Sequence, residues 1–297
     1  MAKVVFCNIA WMKLYSGITD NDQPKNGGAF VKENNDACES FNFYPYNHYC
    51  LGYVRAPGER LNLARVEDVP DDVDKIDDVT VIWVATNDTG RHIVGWYEHA
   101  EMYRYYQCFE DSIVENHTYW QYNFKTREEN AHIIPEELRN FRVLSASKAG
   151  AGLGMGQSNL WYADSAITKE KFVPKVLEYL EKIRPQTIQQ YWRKEFVEKI
   201  ADIQGKSVEE LNKLAANETN PGKLFSIDNL IISMNPPDMF KARFHRAADL
   251  ELYLLYDEAI EEYQRALACV TDEDKDSDTY LTCLFNLQRL LEFTGKY

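Results

Sequence analysis

No run in this 297-residue chain approaches the ~18 apolar residues that a membrane-crossing helix needs. The opening MAKVVFCNIAWMKLY starts apolar but has no h-region and no small-residue cleavage site, so no secretory leader and no membrane contact are expected. Cysteine is sparse, at six residues with no C-x-x-C pair. That argues against a disulfide scaffold and reads as reduced, mostly buried thiols in a soluble cytoplasmic protein. Cys38, His48 and Cys50 come closest to a metal grouping, but a fourth ligand at zinc-site spacing is missing. Neither a metal nor a cofactor is expected. Positive charge is short too: 33 Lys and Arg stand against 47 Asp and Glu, for a net charge of −14. Neither side of residue 165 is basic, so any nucleic-acid contact must be a local patch.

The familiar catalytic motifs are missing as well. There is no G-x-S-x-G elbow, no H-E-x-x-H and no H-N-H arrangement with cysteine clamps. His92, His99, His117 and His132 read singly as hydrogen-bonded structural residues. The acidic stretch EDVPDDVDKIDD (67–78) lacks the D-x-D-x-D-G pattern and distal Glu of a calcium loop, and reads as a solvated connector. The glycine run GAGLGMGQSNLWY (150–162) fails both nucleotide patterns. A Walker A loop needs its lysine after the last glycine, where Gln157 and Ser158 stand. A dinucleotide loop needs a third glycine where Met155 or Gln157 stands. Two readings of the run remain. It is a flexible turn, or its missing Cβ atoms let backbone approach a ligand. In the second, Gln157, Ser158 and Asn159 supply hydrogen bonds, and Trp161 and Tyr162 supply stacking surfaces.

Aromatic rings are plentiful, and five of the six tryptophans precede residue 165. Lys3–Ile9, Val79–Thr86, Arg91–Tyr97 and Phe141–Ala146 read as strands. Asn87-Asp88-Thr89-Gly90 joins the middle two as a β-hairpin. Residues 20–50 read as a long ordered loop. From about residue 167 the periodicity is helical. Phe172, Val176, Leu177, Leu180 and Ile183 share one face; Ile188, Trp192, Phe196 and Ile200 mark a second helix. Ser207-x-x-Glu210 is a capping box that opens a third. Helix is expected again after Pro236-Pro237 to about Val270, and over roughly Asp278–Phe293.

Two resemblances refine this reading. Residues 248–267 (ADLELYLLYDEAIEEYQRAL) resemble a tetratricopeptide unit, with Ala259, Tyr263 and Ala266 at the spacing of its second helix. LFNLQRLLEFTGKY resembles the first helix of a following unit. Arg243 and Thr271 replace the motif's early Trp and late Pro, and one and a half units are too few for an array. In the first half, four segments resemble a bacterial domain associated with H-N-H-type, modification-dependent restriction proteins. They are AWMKLYSGITDNDQPKNGGAFV (10–31), IWVATNDTGRHIVGWYEHAEMYRYYQ (82–107), ENAHIIPEEL (129–138) and GMGQSNLWYAD (154–164). IVGWYEHAEM is also similar to the central strand of EVE and YTH domains of the PUA-like superfamily. Those are small β-barrels with helices, several of which bind a modified base in an aromatic cage.

The resemblance implies a reader of modified nucleic acid, with Trp11, Trp96 and Trp161 as cage candidates. Tyr97 joins them as a ligand-side aromatic. Lys13, Asn26, Gln157, Ser158 and Asn159 become polar contacts. The expected fold class is α+β: a PUA-like mixed β-barrel over 1–166, then an all-α, partly tetratricopeptide-like domain over 167–297. The expected function is a non-catalytic reader of modified DNA in bacterial restriction or defence. A separate nuclease or other protein partner would bind through the helical domain, since no nuclease motif is present. Two alternatives stay open. One is an interaction scaffold without a nucleic-acid ligand. The other is a small-molecule or nucleotide enzyme using the glycine loop with a His or Glu acid–base pair.

Overall fold

The computed structural model describes residues 2–26, 37–110, 119–188, 202–218 and 221–296. The chain divides into two compact units, Met1–Gln189 and Gln190–Tyr297. The first holds the strands and the second is helical, so the chain is of the α+β class.

Eight strands form the sheet: β1 Lys3–Ile9, β2 Pro45–Tyr46, β3 Tyr49–Gly52, β4 Lys75–Asn87, β5 Gly90–Glu110, β6 Tyr119–Arg127, β7 Ala131–Ile133 and β8 Leu160–Trp161. Their order is β2-β3-β6-β5-β4-β1-β8, with β7 beside β5. Among the described residues the two ends of this path do not pair. The sheet is therefore open, and the closed barrel expected from the PUA-like resemblance is not formed. Closure would need β2 and β8 to meet, but each is two residues long and pairs on one side only. β1 and β4 pair in parallel, and the remaining strand pairs are antiparallel.

The sequence of β4 explains its central place. Val81–Ala85 (VIWVA) is continuously apolar and buried, as a strand covered on both faces must be. Val81, Trp83 and Ala85 enter one core with Val5, Cys7, Tyr97 and Phe124. Ile82 and Val84 enter the other with Phe6, Ile93 and Trp96. The hairpin falls where Asn87-Asp-Thr-Gly predicts. The Asn87 Oδ1 accepts from the Thr89 N–H at 2.9 Å, the Thr89 hydroxyl at 2.7 Å and the Gly90 N–H at 3.2 Å. β4 begins at Lys75, so the end of the acidic connector is strand. Loop 20–50 contains β2 and the first half of β3. Phe141–Ala146 is not a strand of the sheet. It follows β5 for one bridge, His92 to Arg142, and then enters a one-turn helix, Ala146–Ala149.

Helix α1, Val173–Ile183, covers the second face of the sheet through Val173, Val176, Leu180 and Ile183. Each such apolar side chain contributes about 2 kcal/mol on burial. The expected boundary at 166/167 therefore falls short of the observed one at 189/190. Helical periodicity located the element but could not say which core its apolar face joins.

The second unit contains α2 Val208–Ala215, α3 Pro221–Ser233, α4 Met239–Leu252, α5 Tyr256–Leu267 and α6 Asp278–Thr294. The capping box is present in full: Ser207 Oγ accepts from the Glu210 N–H, and Glu210 accepts from the Ser207 N–H. The expected long helix after Pro236-Pro237 is broken at Tyr253–Leu255, where Leu254 takes a left-handed conformation with φ 58°. Ala259, Tyr263 and Ala266 are fully buried. Tyr263 donates to Glu251 at 2.6 Å, Asn286 donates to the Tyr263 hydroxyl at 3.0 Å, and Arg289 pairs with Glu251. This network ties α4, α5 and α6 together. Trp192, Phe196 and Ile200 of the expected second helix, and His117, lie outside the described residues. No helix among the described residues is long and apolar enough to cross a membrane.

Candidate functional site at the carboxyl end of β1 and β4

Parallel pairing brings the carboxyl ends of β1 and β4 to one end of the sheet, beside the first residues of β5. Ligands favour the carboxyl ends of parallel strands in open sheets. Three loops meet here, and each carries sequence-predicted residues.

The first loop leaves β1. Trp11 and Lys25 exchange backbone hydrogen bonds of 2.7 and 2.9 Å, closing residues 11–25 into a clamp. The Asp22 carboxylate shapes it from inside, accepting from the N–H groups of Lys13 at 2.6 Å and Leu14 at 2.8 Å. Asn26 then takes a left-handed φ of 58°, and its side-chain amide donates to the Thr86 carbonyl at 3.0 Å. Lys13, Lys25 and Asn26 are exposed, at the tip of β4.

The second is the glycine-rich loop. A Cβ on Gly154 would lie 2.6 Å from the Leu144 carbonyl oxygen, so the close approach is to the protein's own backbone. Met155 bonds Leu144 and Ala146 through its main chain at 3.0 Å each. The chain then turns outward at Gly156, where no heavy atom lies within 4 Å of an added Cβ, and exposes Gln157 and Ser158. The Asn159 carbonyl accepts from the Asn8 N–H at 2.7 Å, which fixes this segment to the end of β1. The run is thus a packed turn presenting polar side chains, with no phosphate cradle.

The third is the segment 134–143. Arg139 is buried, its guanidinium donating to the carbonyls of Ile134 at 2.9 Å, Met12 at 2.7 Å and Lys13 at 2.6 Å. It also lies over the Trp11 ring at 4.8 Å. His92 meets the same ring edge-on at 6.2 Å. Burial lowers the His92 pKa, the Arg139 backbone works against this, and the charges of Arg142 and Arg139 lower it further. The imidazole is therefore neutral at pH 7.

Two further arginines decide the character of this end. Most guanidiniums of the acidic chain have carboxylate partners, as in Arg65–Asp164, Arg184–Glu98, Arg243–Glu262 and Arg289–Glu251. Arg91 and Arg142 have none among the described residues; Arg127 and Arg139 have none either, but Arg139 is taken up by three carbonyls and Arg127 by the Tyr49 ring. Arg91 donates to the Met155 carbonyl at 3.5 Å, its Nε is buried without a partner, and burial lowers its pKa. Arg142 is exposed beside Gly90. Asn8 Oδ1 is also buried without a hydrogen-bond partner. Buried polar atoms without hydrogen-bond partners occur elsewhere too, as at Ser40 Oγ and Trp83 Nε1, so it is the two guanidiniums that mark this end.

The aromatic predictions fare differently. Trp11 is 6% exposed, with Nε1 donating to Glu136 at 2.9 Å and Arg139 over the ring, so it forms a wall of the loop core. Trp96 is fully buried at mid-sheet, stacked on His132 at 4.6 Å. Tyr97 is fully buried on the opposite face, donating to the Asn42 carbonyl. Trp161 stacks on Phe6 at 4.9 Å and lies near Phe172 at 5.3 Å. The three tryptophans do not converge, and the proposed cage is not assembled from them. Strand alternation sends Trp96 and Tyr97 into separate cores, where burying a ring is worth more than presenting it. A cavity of about 240 Å³ lies at the other end of β1, lined by Lys3, Arg65, Tyr162 and Lys169, and of the predicted residues it takes Tyr162 alone, whose ring is covered by Arg65 at 4.4 Å.

The histidines offer little acid–base chemistry. His132 lies 3.3 Å from Glu98, but Arg184 forks onto the same carboxylate at 2.5 and 2.7 Å. Burial would raise the Glu98 pKa, yet hydrogen bonds from His132, Arg184 and Trp96 outweigh it and hold the carboxyl well below its usual range. It cannot carry a proton at neutral pH. His99 meets Asp78 at 2.7 Å, both well exposed. Among the described residues no three His, Cys, Asp or Glu side chains are grouped to hold a metal ion.

Arg91, Arg142 and Asn8 were missed from the sequence. The signal for Arg91 was its place directly after the hairpin turn; Arg142 and Asn8 carried none. Comparison with protein-family models, with curated proteins and with solved structures gives no match to this chain.

Proposed function

We propose that the sheet-bearing unit is a non-catalytic reader of nucleic acid, with a modified base as the feature it distinguishes. The observation that carries this is the Arg91–Arg142 pair, left without carboxylates in a chain of net charge −14. Guanidinium groups are matched to phosphate oxygens by geometry and charge. Lys13 and Lys25 flank them, and Asn26, Gln157 and Ser158 supply donors and acceptors for a base edge. Without a tryptophan cage, the base would be read by these polar groups and the unsatisfied Asn8, in the manner of edge recognition. The restriction or defence role rests on the resemblance of the four segments.

Fluorescence anisotropy with methylated, hydroxymethylated and plain oligonucleotides at low salt tests the reading. One modified form should bind more tightly than plain DNA, and R91A and R142A should each weaken it about tenfold or more, whereas R65A should not. Absence of binding to all three overturns it.

A second reading, a protein-interaction scaffold, is favoured by the outer face of α6. Leu281 and Phe285 are 60% and 65% exposed there, with Leu284 beside them. A stoichiometric partner on purification, lost in L281E/F285E and present without nucleic acid, would decide for it.

A further inference from the structure

The helical unit contains a cavity of about 610 Å³ between α2, α3 and α4. That is the size of a small-molecule site. Its walls are mostly apolar, with Val208 and Ala215 from α2, Leu224 and Ile231 from α3, and Pro237 from the turn between α3 and α4. Two carboxylates interrupt this lining. Asp228 of α3 is 5% exposed and Asp249 of α4 is 8% exposed, both line the cavity, and the charge of Asp249 acts on Asp228. Burial and the Asp249 charge both favour the protonated form of Asp228, so the pair holds about one negative charge near neutral pH. Asp249 Oδ2 is buried with no hydrogen-bond partner.

The nearest cation does not neutralise the pair fully. Arg246 attracts Asp228, but it also lies 3.9 Å from Glu262 and 5.5 Å from the Phe225 ring. The other charged or titratable groups lining the space are Lys241, His245 and Asp238; α2 contributes the polar Asn212 but no titratable group. Lys241, His245 and Asp249 recur every four residues and so lie in line along α4, with the imidazole one turn and the ammonium of Lys241 two turns from the acid. Burial, then the Lys241 charge, keep His245 less basic than usual, with Asp238 opposing.

We propose that this cavity binds a small primary amine, its ammonium group donating to Asp249 and Asp228 and its apolar body filling the space between α2 and α3. The chemistry favours an ammonium over a metal ion. Two carboxylates supply too few ligands, and no third acidic, His or Cys side chain joins them among the described residues. Lys241 at the same helix face repels a cation placed near it and directs the charged end toward the acids. Burial, then the Asp249 charge, push Asp228 up to about 8, with Arg246 opposing; burial pushes Asp249 up to about 6. Ammonium binding therefore expels the proton held by the pair, and affinity rises with pH between about 6 and 8.

Isothermal titration of the full chain with phenethylamine, cadaverine and calcium chloride tests this, in two buffers of different ionisation enthalpy. At least one amine should bind with proton release, about tenfold more tightly at pH 8 than at pH 6. D249N and D228N, near-isosteric changes checked by thermal melting, should each reduce affinity at least tenfold. No amine binding at millimolar concentration, binding unchanged in both variants, or calcium binding in place of amine binding would each overturn it.

Discussion

Single residues in the sheet unit are held by exclusion of volume and by paired charge. Gly52 of β3 faces the Trp83 and Tyr97 rings, and a Cβ there would lie 2.5 Å from Trp83 and 2.8 Å from Tyr97. Both rings are fully buried in a common core, so neither can withdraw. G52A is expected to cost about 1–3 kcal/mol, as overpacking does, read from the urea midpoint. Glu98 gives a pH signature. Its folded pKa is depressed, so its contribution to stability is present in full above the ordinary glutamate value of about 4.3 and is lost progressively as pH falls from there to the depressed folded value. E98Q should therefore unfold more easily than wild type at pH 7, with the difference shrinking below about pH 4.3. Urea titrations at a series of pH values check this; a difference that grows on acidification would contradict the assignment. At this scale the sequence misled in one instructive way. It showed that Trp11, Trp96 and Trp161 were available, but a ring's value as a binding surface depends on whether its face is free. Phe6, His132 and Arg139 occupy those faces from distant parts of the chain.

Elements defined by local chemistry were legible; those defined by distant partners were not. The Asn87–Gly90 hairpin and the Ser207–Glu210 capping box depend on four residues each, and both stand where the sequence puts them. S207A should cost about 1 kcal/mol by freeing the first N–H groups of α2. Thermal melting monitored by circular dichroism measures it, and a change below a few tenths would mean that packing alone sets that helix end. Strand order is a different matter. Nothing local in Lys3–Ile9 says that it lies parallel to β4 some seventy residues on, or that the sheet stays open. The assignment of α1 to the sheet is another long-range choice, made by the match of Val176 and Leu180 to a half-covered face. The candidate site shares this split. Lys13, Asn26, Gln157, Ser158 and Asn159 were named from the sequence, whereas the arginines that give the site its charge come together only through the β5 register with segment 141–143.

For the whole molecule, charge sets the terms of any contact with nucleic acid. A chain of net charge −14 repels a polyanion at long range and must bind through a few direct contacts. Two arginines and the two flanking lysines would make about four phosphate contacts, so on the proposed reading log K should fall with log[salt] at a slope between about −3 and −4 for a duplex. Anisotropy between 25 and 200 mM salt (on the order of a tenfold range) measures it. A slope near −8 would place the contact on some other, broader surface. R91A should reduce the slope by about one unit.

The pairing of β1 also bears on how the chain is made. Its two neighbours are residues 79–85 and 160–161. During synthesis VVFCNI emerges before both partners, waits for β4 and then keeps one open edge until β8 has left the ribosome. At ordinary elongation rates that wait is on the order of 10 seconds. A strand that ends enclosed on both sides thus spends the vulnerable part of its life as a sticky, unprotected edge.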